Sequence, residues 1–441
     1  MSSGRSREGQ VNPKQSGRRK FLRDGATLAG LAVGTAGTGS AQALVPETHK
    51  FSLDDLHSYG ERSHYVKSVR IGSINNPDTR KPGDRRDVGL RTPLQDSVGM
   101  ITPASLHFIV SHGYEPPDID PRRHQLMIHG MVERPLIFTV EDLRRLPSVS
   151  RFHFVECHGN SSPGAAPGGP ERVTPAATVQ DTHGLTSCSL WTGVPLSLLL
   201  KEAGTQSGAS WIVAEGADPS KHSKSIPLDK ALDDVLVAYG QNGEAVRPEQ
   251  GFPLRLLVPG WQGINNVKWL RRIKVVSEPY MAMMETSRYP YIRLDGKSRW
   301  FENELGPKSV ITRPSGGQRL SAAGFYEVTG LAWSGGAAVR RVEISDDGGR
   351  TWKDAEIQGP VAAKAHTRFV FPWNWNGDEA VLESRCTDER GDVQPTMTEL
   401  AKLEGAPDVD YFRTVTLILS DFNAIQPWKV NRDGSVQNAL F

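Results

Sequence analysis

Residues 151–160 read Arg-Phe-His-Phe-Val-Glu-Cys-His-Gly-Asn, an apolar run of strand length that ends at Cys157 and enters a Gly-Asn turn. A cysteine at a strand end is most often a small core hydrophobe, but as a thiolate it is also a soft, polarisable ligand suited to a redox metal. Cys188 and Cys386 complete the set of three, an odd count that leaves at least one thiol without an intramolecular partner. No Cys-x-x-Cys-His haem site, no paired Cys-x-x-Cys and no Gly-x-Gly-x-x-Gly accompany them. His107, His112 and His158 fall in or beside the same segments without zinc-like spacing. Beside a centre that makes oxyanions, such a histidine could donate a proton or a hydrogen bond. Redox work by this chain therefore needs a centre of another kind, and an electron acceptor on a separate protein.

Cys157 has company downstream. Trp191, Thr192 and Gly193 come first, then Gln-Gly-Phe-Pro-Leu-Arg-Leu-Leu-Val-Pro-Gly over residues 250–260, then Asn-Asn-Val-Lys-Trp-Leu over residues 265–270. In this order the motifs resemble the sulfite oxidase family, and the resemblance runs from about Thr102 to Thr398. It implies an enzyme carrying a molybdenum-molybdopterin cofactor, with Cys157 as the protein's thiolate ligand to the metal and a pyranopterin dithiolene supplying the other sulfurs. It further implies that Thr192 approaches the cofactor and that Gln250 and Arg255 lie on a cofactor-binding Asn-Gly-x-Pro-x-Arg pattern, with Gln in place of Asn. Asn266, Val267 and Lys268 fall on the pterin-binding turn. The pterin ends in a phosphate, and two cations such as Arg255 and Lys268 beside backbone N–H groups would hold it. Tyr289 is the candidate active-site tyrosine, with Tyr291 as the alternative, and His112 is the candidate catalytic histidine.

The departures from the family carry the substrate argument. The family's Cys-Ala-Gly-Asn-Arg-Arg run is here Cys157-His158-Gly159-Asn160-Ser161-Ser162, and its Arg-Asn-His run is Val110-Ser111-His112. The arginines missing from these runs cradle a sulfite dianion, and their loss removes charge-assisted, often bidentate contacts. The changed segments, with residues 116–121 and 127–136, look most like the molybdenum subunit of Sox-type sulfane dehydrogenases. That resemblance implies oxidation of a sulfane sulfur held on a carrier protein, with water as oxygen source and a c-type cytochrome as acceptor. A homodimer, or a heterotetramer with the cytochrome subunit, is the implied assembly. Two rival readings are a sulfite dehydrogenase acting on free sulfite and a cofactor-free scaffold in which Cys157 is core and the C-terminal region docks a partner.

The elements that must position these residues divide the chain. Seven Lys/Arg against two acids in residues 1–43 turn the whole-chain charge of +2 into −3 beyond them, so bulk charge offers no case for nucleic-acid binding. Arg18 and Arg19, the small apolar run over residues 26–36 and Ala-Gln-Ala at 41–43 read as a twin-arginine export signal cleaved after Ala43, hence a periplasmic protein with no membrane span in its mature form. Residues 44–100 read as an extended arm over a domain surface. Residues 101–300 alternate strand-length runs (125–129) with short helical patterns (139–146), an α+β arrangement forming a mixed α/β cofactor-binding domain. Residues 301–430 change texture to short strands between turns, and the pattern around 339–352 predicts a β-hairpin in an immunoglobulin-like dimerisation sandwich. Residues 431–441 remain as a C-terminal tail, and a Pro/Gly/Ala cluster at 162–177 as a loop near the site.

Overall fold

The computed structural model describes residues 59–60, 62–63, 65–72, 89–111, 115–163, 174–292, 297–301, 303–414 and 421–440. The chain divides into residues 1–66 and residues 67–441. The expected export signal lies outside the described residues, as do His112 and most of the 162–177 loop. Among the described residues no helix is long and apolar enough to cross a membrane.

Within residues 67–441 two five-stranded sheets build the first domain. One runs Leu136–Thr139, Gln125–Gly130, Leu270–Val276, Trp211–Gly216, Ser223–Pro227 and is antiparallel except where Leu270–Val276 pairs parallel with Gln125–Gly130. Short helices cover it. That over Val140–Arg145 is started by Thr139, whose hydroxyl accepts from Asp142 N (3.1 Å) while the Asp142 carboxylate accepts from Thr139 N (3.0 Å), so two orphan donors are satisfied at once. Val140 and Leu143 are its buried face. The second sheet is wholly antiparallel and carries the site: Val149–Glu156 pairs with Thr186–Pro195, which pairs with Leu236–Gln241, and Glu244–Ala245 and Arg255–Leu257 flank the last.

The second domain is a sandwich. Strands Lys308–Arg313, Gly324–Trp333, Thr367–Trp375 and Glu356–Gln358 form one layer, and Lys353–Asp354, Val339–Ser345, Ala380–Asp388, Trp428–Val430 and Val436–Asn438 the other. Val310, Val328, Phe369, Ile344, Leu382 and Trp428 fill the space between. The expected hairpin is present: Val339–Ser345 pairs with Lys353–Asp354, and Gly348 and Gly349 take positive φ (72° and 79°) in the turn, where a Cβ would be strained.

Two boundaries move. Residues 436–438, expected in a C-terminal tail, are the edge strand of the second sandwich layer. Residues 89–94, expected in a surface arm, are drawn inward: Gly89–Leu90 pairs with Ile109–Val110, and Arg91, Thr92 and Leu94 are buried, Leu94 in the core that joins the two domains. Two leucines, Leu90 and Leu94, are too few in a polar stretch to show a periodicity, and burial of Leu94 outweighs the polarity of its neighbours.

Three buried histidines give the fold a pH dependence. Burial holds His366 down to about 3 and His153 to about 4, and burial with the nearby Arg255 charge holds His107 to about 3. The unfolded chain binds these protons near pH 6.5 and the folded chain does not, so stability is full above that value and falls as pH drops towards 4. His366 shares a hydrogen bond with Thr186 Oγ1 (2.9 Å) and packs on Phe154 and Trp333. In urea unfolding at pH 7.5, 5.5 and 4.5, His366→Leu is expected to lose less stability on acidification than the wild type, by up to about 1.4 kcal/mol per pH unit inside the window. Parallel pH curves for the two proteins would refute the assignment.

Candidate active site

The strand Val149–Glu156 delivers Cys157 to a cavity with about 750 Å3 of space unfilled by protein atoms, its open mouth included, a size suited to a cofactor. Cys157 is half-buried on its wall. Its N–H donates to the Leu185 carbonyl (2.9 Å) and its carbonyl accepts from Asn160 N (2.9 Å), which fixes the turn after the strand. Gly263 faces this turn so closely that a Cβ there would meet the Glu156 carbonyl oxygen at 2.7 Å and Cys157 Cα at 3.3 Å. Only glycine lets the 263–265 turn and the cysteine turn pack together.

Gln250, Arg255 and Lys268 converge on the same cavity. Arg255, 2% exposed, lies in the strand Arg255–Leu257 and donates from Nη1 to the Gln250 carbonyl (3.0 Å) and side-chain oxygen (3.3 Å). Gln250 Nε2 in turn donates to the Phe108 carbonyl (2.8 Å). The guanidinium lies 4.7 Å from the centre of the Trp191 ring, and its Nε has no partner among the described residues. Burial pushes Arg255 down to about 9. Lys268 donates to the carbonyls of Val110 (3.0 Å) and Glu249 (3.1 Å), and burial, then the Arg255 charge, pushes it down to about 7. Asp218, Glu249 and Cys157 pull the other way, but among the described residues neither Arg255 nor Lys268 forms an ion pair.

A buried guanidinium with an unused Nε–H and a half-buried ammonium whose charge bears on it are a costly arrangement unless an anion enters. A pterin phosphate fits that demand. Cys157 stands on the same cavity, and the described residues include no cluster of three His, Cys, Asp or Glu to hold a metal by itself. A metal held at Cys157 would take its remaining ligands from the cofactor, as a dithiolene would supply them. His107 completes this side. Its Nδ1 donates to the Phe108 carbonyl (3.1 Å), so Nε2 is a bare acceptor without a partner among the described residues.

The same cavity also bears the tyrosine and histidine candidates. Tyr289 follows a π-helical turn over Met284–Arg288, a local form frequent at functional sites. Glu285 anchors that turn by accepting from Ser225 N (2.9 Å) and pairing with Lys224 at 3.4 Å, both side chains buried. The Tyr289 ring meets His158 edge-on, centroids 5.0 Å apart, and His158 Nδ1 donates to Gln262 Oε1 (2.9 Å). Tyr291 lies in the short strand Tyr291–Ile292, described by its backbone alone.

Not every expected residue arrives. Thr192 is on the opposite face of its strand from Trp191: its hydroxyl is within 2.8 Å of Ser150 Oγ and its Cβ lies over Gly240, outside the cavity lining. Alternation along a strand sends one residue of the pair in and the next out, and here Trp191 goes into the core beneath Arg255. Val267 is fully buried in the first domain's core, away from the lining. Asn266 does line the cavity, but its side chain is committed to the fold, accepting from Val258 N (2.8 Å) and donating to the Gln262 carbonyl (3.3 Å). Sequence reasoning missed Gly263 and a polar trio on the loop after Trp211–Gly216. In that trio Asp218 accepts from His222 N (3.1 Å) and from the Ser220 hydroxyl, and all three residues line the cavity. An Asp-x-Ser-x-His run at a strand's end was the available signal.

Comparison with known proteins agrees with this geometry. Residues 112–284 match the oxidoreductase molybdopterin binding domain, and residues 299–418 the Mo-co oxidoreductase dimerisation domain. Nitrate reductase [NADH] 1 of Arabidopsis thaliana is 33% identical over 342 residues, covering 67% of this chain and 36% of that protein. The nitrate reductase of Petunia hybrida is 33% identical over 391 residues, 78% of this chain and 41% of that protein. The chain thus spans well under half the length of these relatives. The crystal structure of the sulfane dehydrogenase SoxCD from Paracoccus pantotrophus superposes with a TM-score of 0.81 at 36% identity, covering 92% of this chain and 99% of that chain. With a buried cationic cradle, a thiolate at a strand end and both domains matched in order, the chain belongs to the molybdopterin-binding oxidoreductases of the sulfite oxidase family.

Proposed function

We propose that this chain is the molybdenum subunit of an exported sulfane dehydrogenase, oxidising sulfur carried on a partner protein and passing electrons to a c-type cytochrome. The observation that carries the reading is the cavity's charge. Among the described lining residues the only Lys and Arg are Arg255 and Lys268, which this reading assigns to the cofactor phosphate. Val110, where sulfite oxidases have an arginine, lines the cavity as an apolar residue, whereas Ser161 and Ser162 are buried outside its lining. Every charge-assisted hydrogen bond that a free dianion forgoes here is worth about 1.5–3 kcal/mol. A tethered sulfur does not depend on those bonds, because its carrier brings binding energy and local concentration of its own. Similarity to the Paracoccus sulfane dehydrogenase across nearly the whole chain supports the same reading. The twin-arginine pattern at Arg18 and Arg19 supports export in a folded, cofactor-loaded state.

In this reading Arg255 and Lys268 bind the pterin phosphate, Cys157 holds the metal, and His107 Nε2 accepts a hydrogen bond from the cofactor. The bound cofactor supplies two-electron oxidation with transfer of a water-derived oxygen to sulfur. Each oxygen added consumes one water and releases two protons and two electrons, the latter to the cytochrome. Tyr289, braced edge-on by His158, orients the sulfur-borne oxygen.

Specificity constants for persulfide-loaded carrier, free sulfite and nitrate, measured on loaded enzyme with a cytochrome or viologen mediator, test the proposal. Carrier-bound sulfane is expected to exceed sulfite by roughly tenfold or more, the worth of one missing arginine. A higher constant for sulfite would replace the sulfane reading with a sulfite dehydrogenase, and turnover of nitrate alone would overturn both.

A further inference from the structure

Immediately behind Cys157 lies a buried ionic cluster that the cofactor-binding residues do not use. Glu156, 1% exposed, ends the cysteine strand. Its Oε1 accepts from Lys308 Nζ (2.6 Å) and Asn160 Nδ2 (2.9 Å), and its Oε2 from Trp333 Nε1 (2.6 Å). Lys308, also 1% exposed, is the first residue of the sandwich strand Lys308–Arg313. It donates as well to Ser161 Oγ (3.1 Å) and pairs with Asp421 at 3.3 Å. Ser161 has a left-handed φ of 60°, and its hydroxyl lies 2.6 Å from the Phe422 carbonyl. Residues on both sides of Cys157 are thus held by one ammonium group from the other domain. Trp333 comes from the same sandwich layer as Lys308, and Phe154 N donates to the Lys364 carbonyl (3.0 Å), a further tie from the sandwich to the cysteine strand.

We propose that Glu156 and Lys308 form a positioning device for the metal-binding thiolate, through which the sandwich domain, known by its dimerisation role, sets where Cys157 meets the metal. Fold stability alone asks for little from such a pair, since burying both charges costs about as much as their attraction returns. What the pair adds is a fixed geometry. Glu156 cannot move without leaving Trp333 Nε1–H and the ammonium unpaired, and Cys157 is its covalent neighbour. Outer partners of metal ligands typically change affinity or activity by about 10–100-fold when removed.

The inference rests on the assignment of Cys157 as the metal ligand, and the test separates the two. Lys308→Met, Glu156→Gln with Lys308→Met, and Trp333→Phe are compared with wild type in two ways. Alkylation of Cys157 by iodoacetamide in cofactor-stripped protein is followed by peptide mass spectrometry, with Cys188 and Cys386 as buried references. The molybdenum(V) paramagnetic resonance spectrum is recorded on loaded protein. Cys157 alkylation is expected to rise about tenfold in the first two variants and less in Trp333→Phe, with a changed resonance spectrum at unchanged circular dichroism. Lys308→Arg, which keeps the charge, is expected to return both readouts towards wild type. Folded variants with wild-type alkylation and spectrum would overturn the proposal, as would failure of all of them to fold, which would make the cluster purely structural. If Cys157→Ser itself kept the wild-type resonance spectrum, the ligand assignment would fall whatever Lys308 did.

Discussion

Replacing Arg255 by Met is expected to empty the cofactor site while leaving the stripped protein as stable as the wild type or more so. In the absence of an anion the guanidinium is buried at 2% exposure with carbonyl and amide oxygens as its acceptors, an Nε without a partner among the described residues, and a proton affinity lowered by burial. Such a charge costs the empty protein on the order of several kcal/mol, and Met fills similar space over Trp191 without it. The loaded protein forgoes instead a charge-assisted hydrogen bond worth about 1.5–3 kcal/mol, roughly 10–150-fold in retention of the cofactor. Molybdenum per polypeptide after gel filtration should fall accordingly, and the urea midpoint of stripped protein should hold or rise. Full molybdenum content would remove Arg255 from the phosphate cradle. A large drop in the stripped protein's midpoint would make it a structural arginine.

Cys157→Ser should give a folded protein with at least about 10³-fold lower turnover, equivalent to roughly 4 kcal/mol of lost transition-state stabilisation. The hydroxyl is a hard donor that does not ionise at neutral pH, so it cannot replace a polarisable thiolate on a metal that cycles by two electrons. The position is half-buried on a cavity wall and tolerates the smaller atom. The other two cysteines behave oppositely. Burial pushes the Cys188 thiol up to about 12 and Cys386 still higher, and both sit in the core that joins the sandwich to the first domain. Serine there places a hydroxyl in a dry environment at a cost of about 1–3 kcal/mol while leaving turnover per folded molecule intact. Near-normal turnover of Cys157→Ser, or loss of turnover without loss of stability in Cys188→Ser, would refute the division of roles.

What could be read from the sequence was whatever a local rule encodes. The strand ending at Cys157, the helix opened by Thr139 and the hairpin turning at Gly348 and Gly349 each follow from a few neighbouring residues. Gln250, Arg255 and Lys268 were singled out by family resemblance, and the fold lines one cavity with all three. Thr192 and Val267 fall outside that lining because a motif marks a segment but not the face it presents. Lys268, beside Val267, lines the cavity, and Trp191, beside Thr192, is buried in the core against the Arg255 guanidinium. Gly263 was illegible because its role is to be absent: the space its missing side chain leaves is occupied by a turn more than 100 residues earlier, as the His158–Gln262 hydrogen bond at a separation of 104 shows. Lys308 stands in a segment that reads as an ordinary strand start, and nothing local marks it as the counterion of Glu156.

The ion pair between those two residues also bears on how the protein is made. Their separation along the chain is 152 residues, and Asp421 and the closing strand Val436–Asn438 lie later still. During synthesis the cysteine strand leaves the ribosome early with its carboxylate hydrated, and it acquires its buried cation only after the sandwich has been translated. The cavity lining comes wholly from residues 107–289, so it is translated before the ammonium that braces the cysteine strand from behind. Tight retention of cofactor is therefore expected of the completed chain rather than of a nascent one that stops short of the sandwich.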